Sequence, residues 1–600
     1  MNRSTKCFGR IAVAALALVI LPHRTVAQEG SIPRPEHPRP DMMRDDWLSL
    51  NGSWEFEFDD ADHGVAEQWY ARSKPFSRKI TVPYCFESSL SGIQDTSFHD
   101  VFWYRRTIQV PHAWGTRRVI LHFGAVNYEA TVWVNGQWAA RHQGGQVGFS
   151  VDITDYLNGG NNSITMRVWY PSTDLSMPRG KQYWKPKSER IWYTRTAGVW
   201  QPVWMEAVDA IHVERLRITP DVDQSQVSIE AILSKSAPNL KLRTSIRMGD
   251  ELKAQSEVAC ESDRPVALLK LQEQQLWSPE HPNLYDLMVE VVQDGKVLDT
   301  LHSYFGQRKV SVHDGKVYLN NAPYYLKLVL DQGYWPQSVL TPPSDEAMQY
   351  DIRMTKAFGF NGARKHQKVE DPRWLYWADK MGLIVWGEMA NAQAYDDTYV
   401  RRFMDEWQEV VAEDYNHPCI IVWVPINESW GVRNILTNRA QQEHARAMYY
   451  LLHSLDQTRL VVDNDGWEHT DATDLFTLHD YARTGDLITA KYKGLEGEHK
   501  TIPRNGREAL AYGFDYNGTP ILITEYGGIA YRIGAPGSDK EWGYSGVEPT
   551  KESMLQRLDG VTSALRANPV IAGYCYTQLT DVEQEINTSR IGRQRIMGVR

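Results

Sequence analysis

Cysteine is scarce: the chain has five in 600 residues, with no Cys-x-x-Cys spacing. That excludes zinc-ribbon and disulfide-framework architectures. Cys85, Cys260, Cys419 and Cys575 are scattered and are expected to be free thiols packed as small hydrophobes. Basic runs are also lacking, and the formal charge is −10, so no electrostatic footprint for nucleic acid exists. No membrane partner is expected either. The one long apolar run, "IAVAALALVILP" at 11–22, is too short to cross a bilayer comfortably. With Arg3, Lys6 and Arg10 before it and "TVA" ending at Ala27 after it, it reads as a cleaved secretory signal over residues 1–27. No Cys follows the run where a lipid anchor would need one, because Cys7 lies before it. The protein is therefore expected to be exported and soluble, in periplasm or medium. Cleavage would remove four basic and no acidic residues and take the charge from −10 to −14.

What the chain has in excess is aromatic rings, 22 Trp and 30 Tyr. Large structural rings in β-sandwiches would account for them, and so would platforms for sugar rings. Composition alone leaves both open.

A chain of this length exceeds a single core, since cores stop growing at roughly 250 to 300 residues. Residues 28–209 show short alternating strands and turn signals, as in "RRVILHFGAVNYEATVWVNGQ" with its Asn-Gly turn, and predict an all-β sandwich or jelly roll. Residues 210–311, with "VSIEAIL", "LKLRTSIRM" and "YDLMVEVVQDGKVLD", suit an immunoglobulin-like sandwich without its disulfide. From 312 to 600 the rhythm changes to alternating strands and helices. Strands are expected at 324–330, 361–366, 383–389, 420–427, 460–466, 475–481, 520–526 and 571–579. The helix opening at "SDEAMQYDIRM" has Ser344 as N-cap and acids in its first turn. Eight such units make a (β/α)8 barrel, or TIM barrel, whose functional groups lie at the C-terminal ends of its strands. So little chain follows the eighth strand that closure of the barrel is the least secured part of this reading.

Two carboxylates stand at such ends. Glu428 follows the fourth strand in "VWVPINESWG", and Glu525 ends the seventh in "ILITEYGG". Barrel closure would turn both toward one mouth, where different surroundings can divide acid and nucleophile roles between them. Solvated loop positions would be the ordinary alternative for either residue alone. Arg364, at the end of the second strand, could hold a carboxylate ionised.

At this point the sequence resembles family 2 of the glycoside hydrolases, the group of β-galactosidases, β-glucuronidases and β-mannosidases. "LNGSWEF", "YTRTAGVWQPVWME", "SYFGQRKV", "DYNHPCIIVWVPINES" and "ITEYGG" carry the likeness, in that order, over about residues 45 to 590. The resemblance implies a retaining exo-β-glycosidase with Glu428 as acid/base, Glu525 as nucleophile and Asn427 on the sugar's 2-hydroxyl. It implies that Tyr481 hydrogen-bonds the nucleophile and that Tyr576 forms an aromatic platform beneath the sugar. His479, His366, Trp542, Asp465 and Trp467 are candidate sugar or specificity contacts. His366 departs from the pattern, since relatives read His-Tyr-Pro where this chain reads "RKHQKVED". Glu388 resembles a metal ligand by position only, and no cofactor or required metal is expected. Among terminal sugars a β-galactoside comes first. The Asn-x-Lys pair of the family's glucuronidases is incomplete, with Asn587 present but no lysine, although Arg590, Arg593 or Arg595 could meet an acid by another route. A non-catalytic carbohydrate-binding protein and an inverting hydrolase are the rival readings. The partner is a carbohydrate, and an oligomer is possible.

Overall fold

The computed structural model describes residues 32–71, 74–496, 502–532, 541–544 and 546–587. The expected signal segment and Arg590, Arg593 and Arg595 lie outside them. Two antiparallel sheets make the first unit. Six strands from Gly52–Phe58 to Asn162–Trp169 face four that include Trp47–Ser49 and Val203–Val208. The Asn-Gly turn closes a hairpin between Glu129–Val134 and Gln137–Gln143, with φ of 51° at Asn135 and 81° at Gly136. Both central residues are left-handed, as a type I′ turn requires. The second unit has seven strands between Val213 and Phe305, in sheets of three and four. Its strand Gln226–Leu233 buries alternate residues, because the side-chain period of a strand is two.

Eight parallel strands follow: β1 (Leu326–Asp331), β2 (Gly362–Lys365), β3 (Ile384–Glu388), β4 (Ile420–Val424), β5 (Leu460–Val461), β6 (Phe476–Asp480), β7 (Ile521–Gly527) and β8 (Ile571–Thr577). Every residue of β4 is buried, as befits a strand covered on both faces. The outer helices are α1 (Asp345–Ala357), α2 (Pro372–Met381), α3 (Asp397–Asp414), α4 (Arg439–Leu455), α5 (Gly485–Tyr492) and α6 (Lys551–Ala567). Ser344 caps α1 by accepting from the Ala347 amide, with Asp345 and Glu346 in the first turn.

The ring closes where closure was least secured. β8 pairs with β1, Leu326 opposite Gly573 through Val329 opposite Tyr576. The gap lies instead between β5 and β6, which share no ladder. β5 is much shorter than expected because the chain beyond it is held by side chains: Asp463 binds the His469 ring at 2.7 Å and the Thr470 amide at 2.6 Å. Such local bonds compete with a strand ladder. Among the contacts that bridge the gap are His479 amide to Gly466 carbonyl at 3.2 Å and Gly466 amide to Thr477 Oγ1 at 3.0 Å. No helix joins β5 to β6.

Two of the loops by which the first unit docks on the barrel donate backbone amides to it. In "RHQGGQVGFSVDI" the amides of Gln146 and Gly148 donate to Glu406 and Glu413 of α3, at 2.7 and 3.1 Å. The second loop runs from Tyr170 to Ala197, and there the amides of Arg179 and Gly180 both donate to the Asn391 carbonyl, at 3.2 and 3.0 Å. Gly180 has φ of +59°, and a Cβ there would lie 2.0 Å from the Gln367 carbonyl oxygen. Gly180→Ala should therefore destabilise the docked loop by about 1 to 3 kcal/mol, seen as a lower midpoint in urea unfolding. An unchanged midpoint would show that the loop shifts without cost.

Candidate active site

The strand ends meet around Arg364, which is fully buried at the end of β2. Its Nε donates to Glu388 of β3 at 3.0 Å, and one terminal nitrogen, Nη1, donates to the Thr524 carbonyl at 2.8 Å and pairs with Asp465. The other, Nη2, donates to Glu525 at 2.8 Å and to Asn427 Oδ1 at 3.0 Å and lies 2.8 Å from His366 Nδ1. Burial opposes a charged guanidinium, but Asp465, Glu388 and Glu525 hold its pKa well above the ordinary value. The same His366 Nδ1 lies 3.0 Å from Glu388 Oε1. Burial, with the charges of Lys181 and Arg364, keeps that imidazole neutral. Glu388 goes the other way: burial, reinforced by Asp465 and Glu525, raises it to about 8 in spite of Arg364.

Glu428 and Glu525 face one another across the mouth. Glu428, His479 and Glu525 each present an atom within 4.8 Å of the other two. Glu428 and Ser429 have left-handed backbone, φ of 52° and 58°, a conformation that costs non-glycine residues of order 1 to 3 kcal/mol and clusters at functional sites. Three bonds hold the turn: Glu428 amide to Asp465 carbonyl at 2.9 Å, Ser429 amide to Asn464 Oδ1 at 2.9 Å, and Ser429 Oγ to Glu468 at 2.6 Å. Asn427 is fixed by its amide to Asn391 at 2.9 Å, and its buried Nδ2 has no partner among the described residues.

His479, on β6, lies between two acids, with Nδ1 2.8 Å from Glu428 and Nε2 3.0 Å from Asp465. Burial opposes its charge, yet Glu525, Asp465 and Glu428 together raise it to about 10. Both ring nitrogens then carry protons at neutral pH and donate to the flanking carboxylates. A metal among Glu428, His479 and Glu525 would have to displace those protons. Burial works to raise Glu428, but the hydrogen bond and charge of His479, with Lys181 and Arg364, bring it below the ordinary carboxylate range. Tyr481 donates to Glu525 at 2.5 Å and lies 3.2 Å from Thr577 Oγ1. Burial and the neighbouring Glu525 raise its phenol well above the ordinary value.

Two expectations need correction. Asp465 is no sugar contact: it is buried beneath Arg364 and His479 as their counter-ion, and those two charges overcome its burial to lower its pKa. Tyr576 is no platform. It is fully buried against Tyr526, ring centroids 5.5 Å apart, and the Tyr526 hydroxyl reaches Thr562 of α6. Successive strand residues face opposite sides, so Thr577 next to it is the β8 residue that reaches Tyr481. Trp542 is half-buried, 5.0 Å from Tyr544, which stacks on Tyr481 at 3.8 Å. Trp467 lies 5.5 Å from His479. Sequence reasoning missed Tyr544, Thr577 and the whole contribution of the first unit, in which Lys181 lies over Trp430 and Tyr193 donates to Glu585 at 2.5 Å. A cavity of about 840 Å³ where the three units meet is lined by neither Glu428 nor Glu525.

A barrel mouth with two facing carboxylates, an arginine behind one and a tyrosine on it, is an arrangement able to divide proton-transfer and charge-stabilising work between two carboxyls. The chain belongs to glycosyl hydrolases family 2: residues 47–186 match its sugar binding domain, 211–308 its middle domain and 310–542 its TIM barrel domain. A Formosa agariphila protein provisionally named β-glucuronidase is 26% identical, over 62% of this chain and 46% of its own length. A β-galactosidase of Thermoanaerobacter pseudethanolicus is also 26% identical, over 69% of this chain and 54% of its own. The chain thus spans about half the length of the curated relatives it matches. Among solved structures, a β-glucuronidase of an uncultured Clostridium superposes with a TM-score of 0.73 at 20% identity, covering 92% of this chain and 96% of that one. One from Ruminococcus gnavus in complex with D-glucuronic acid gives 0.75 at 17%, covering 94% and 97%. These likenesses establish the fold.

Arg364→Met should leave Asp465, Glu388 and Glu525 without their shared cation. The expected loss is about 3 to 5 kcal/mol of stability, as when one partner of a buried pair is removed. Denaturant unfolding checks this, and a loss under about 1 kcal/mol would show that the acids are compensated elsewhere.

Proposed function

We propose that the protein is an exo-acting β-glycosidase that works with net retention. The observation that carries this reading is the approach of Glu428 and Glu525 within 4.8 Å. Retaining glycosidases hold their carboxyl groups about 5 to 5.5 Å apart, whereas inverting ones need about 6.5 to 9.5 Å for an intervening water. Glu525, oriented by Arg364 and Tyr481, attacks the anomeric carbon and forms a glycosyl ester as the bond to the leaving oxygen breaks. Glu428 gives that oxygen its proton. It then takes a proton from water, whose oxygen attacks the anomeric carbon and releases Glu525. The unpartnered Asn427 Nδ2 is available to a sugar hydroxyl. Export through the N-terminal segment belongs to the same proposal.

Terminal β-galactosides are the first substrate class and β-glucuronides the second. The reading of a neutral terminal sugar is supported by Glu585. It lies buried in the segment where the family's glucuronidases carry their Asn-x-Lys pair, accepts from Asn587 at 2.9 Å, and is raised by burial to about 7. In its ionised form a carboxyl there repels a second one. A panel of nitrophenyl glycosides covering β-galactoside, β-glucuronide, β-mannoside, β-glucoside and α-arabinoside tests the assignment. Turnover of one member should drop by at least about 1,000-fold in Glu525→Gln, and proton NMR should show the β-anomer released first. Turnover that survives the substitution, or an α-anomer, overturns the reading.

The free site holds Glu428 ionised, the state that activates water, so the first step needs it to regain a proton. The rate of that step therefore falls as pH rises past the pKa of Glu428. His479→Asn removes the cation that lowers this pKa, and the alkaline limb of kcat/KM should move to higher pH. A limb that stays or moves down would show that His479 does not set the proton on Glu428.

A further inference from the structure

Trp430 follows Glu428 by two residues and is 2% exposed. Residues of two domains cover it. Lys181 from the sandwich loop places its ammonium 4.7 Å from the ring centroid, and Arg433 places its guanidinium 5.3 Å away. Trp192 lies at 4.5 Å, and Trp184 is 4.5 Å from Trp192 in turn. Trp184 and Trp192 are half-buried, so part of each ring remains open.

Lys181 itself is 5% exposed, and no hydrogen bond or ion pair to its ammonium is recorded among the described residues. Its position is fixed by backbone on both sides. The Gly180 amide donates to Asn391, the Tyr193 amide donates to the Lys181 carbonyl at 2.9 Å, and Gln182 is bonded to Asn127 and the Thr196 amide at 3.1 and 2.9 Å. Its charge also favours the ionised form of Glu428 and Glu585 and the neutral form of His366. An ammonium without a direct counter-ion is free to pair with a ligand anion. Lysine serves this purpose as a point charge, and arginine as a planar fork. The aromatic faces beside them offer contact to the apolar side of a sugar.

We propose that Lys181, with Arg433, Trp430 and Trp192, forms the leaving-group subsite of the enzyme and takes a sugar that bears a carboxylate or a sulfate ester. This rests on the glycosidase reading above. The test uses the terminal sugar accepted in the nitrophenyl panel, linked in turn to glucose, to glucuronate and to glucose 6-sulfate. For wild type, kcat/KM should favour an acidic over the neutral disaccharide, and the arm that is preferred identifies carboxylate or sulfate as the source of the anion. In Lys181→Gln the acidic-to-neutral ratio should fall by about 10- to 100-fold, and Lys181→Arg should restore part of it. A ratio the same in wild type and Lys181→Gln overturns the proposal. Calorimetry with Glu525→Gln, which needs no turnover, gives a second reading: the acidic disaccharide should bind more tightly than the neutral one, and Lys181→Gln added to that background should abolish the difference. Failure of the glycosidase reading would look different, as silence of wild type toward every glycoside while binding in calorimetry still reports on Lys181.

Discussion

The site depends on one buried cation. Arg364 lies at 0% exposure in the centre of the barrel mouth and is shared by Glu388, Asp465 and Glu525. Three carboxyls this close cannot all ionise without a charge among them. Arg364 resolves the conflict unequally. Asp465 is held ionised and Glu388 is pushed toward neutrality. Five donors in a rigid plane let one side chain address residues of several strands at once, which a lysine could not do. The hold of Arg364 on Glu525 therefore rests on the end of a four-residue strand.

His479 extends the same logic to Glu428. With Asp465 on one nitrogen and Glu428 on the other, it couples the charge held by Arg364 to the second carboxylate. Glu525 thus draws on Arg364 directly, and Glu428 draws on it through Asp465 and His479. Different surroundings for two carboxyls of the same type are what allow them different roles. The left-handed turn at Glu428 and Ser429 is tied to Asp465 and Asn464, beyond the end of β5. That explains the shortness of β5: the chain leaves the ladder early and its groups bind the turn at Glu428 instead.

The sandwich domain is part of the site rather than an appendage. Its glycine-paired loop is clamped by buried acids of α3, and the loop carrying Lys181, Tyr193 and Trp192 lies over the barrel mouth. Gly180 allows backbone to meet backbone at the point where that loop enters.

The sequence by itself determined the three-part division, the eight strand positions and the two carboxylates at strand ends, because each is written in local periodicity and in short contiguous motifs. The N-cap of α1 at Ser344 was legible for the same reason. Strand ends were less so. One residue decides which face a side chain occupies, and Tyr576 fell on the outer face while Thr577 took the inner one. Asp465 looked like a loop residue open to ligand, since nothing local reveals that Arg364 and His479, about a hundred residues before it on β2 and just beyond it on β6, close over it. Only the tertiary structure decided those assignments, the gap between β5 and β6, and the arrival of Lys181 beside Glu428. Charges and rings from distant segments meet there through domain docking, and the distances between them, which set every pKa in the site, have no counterpart in local sequence.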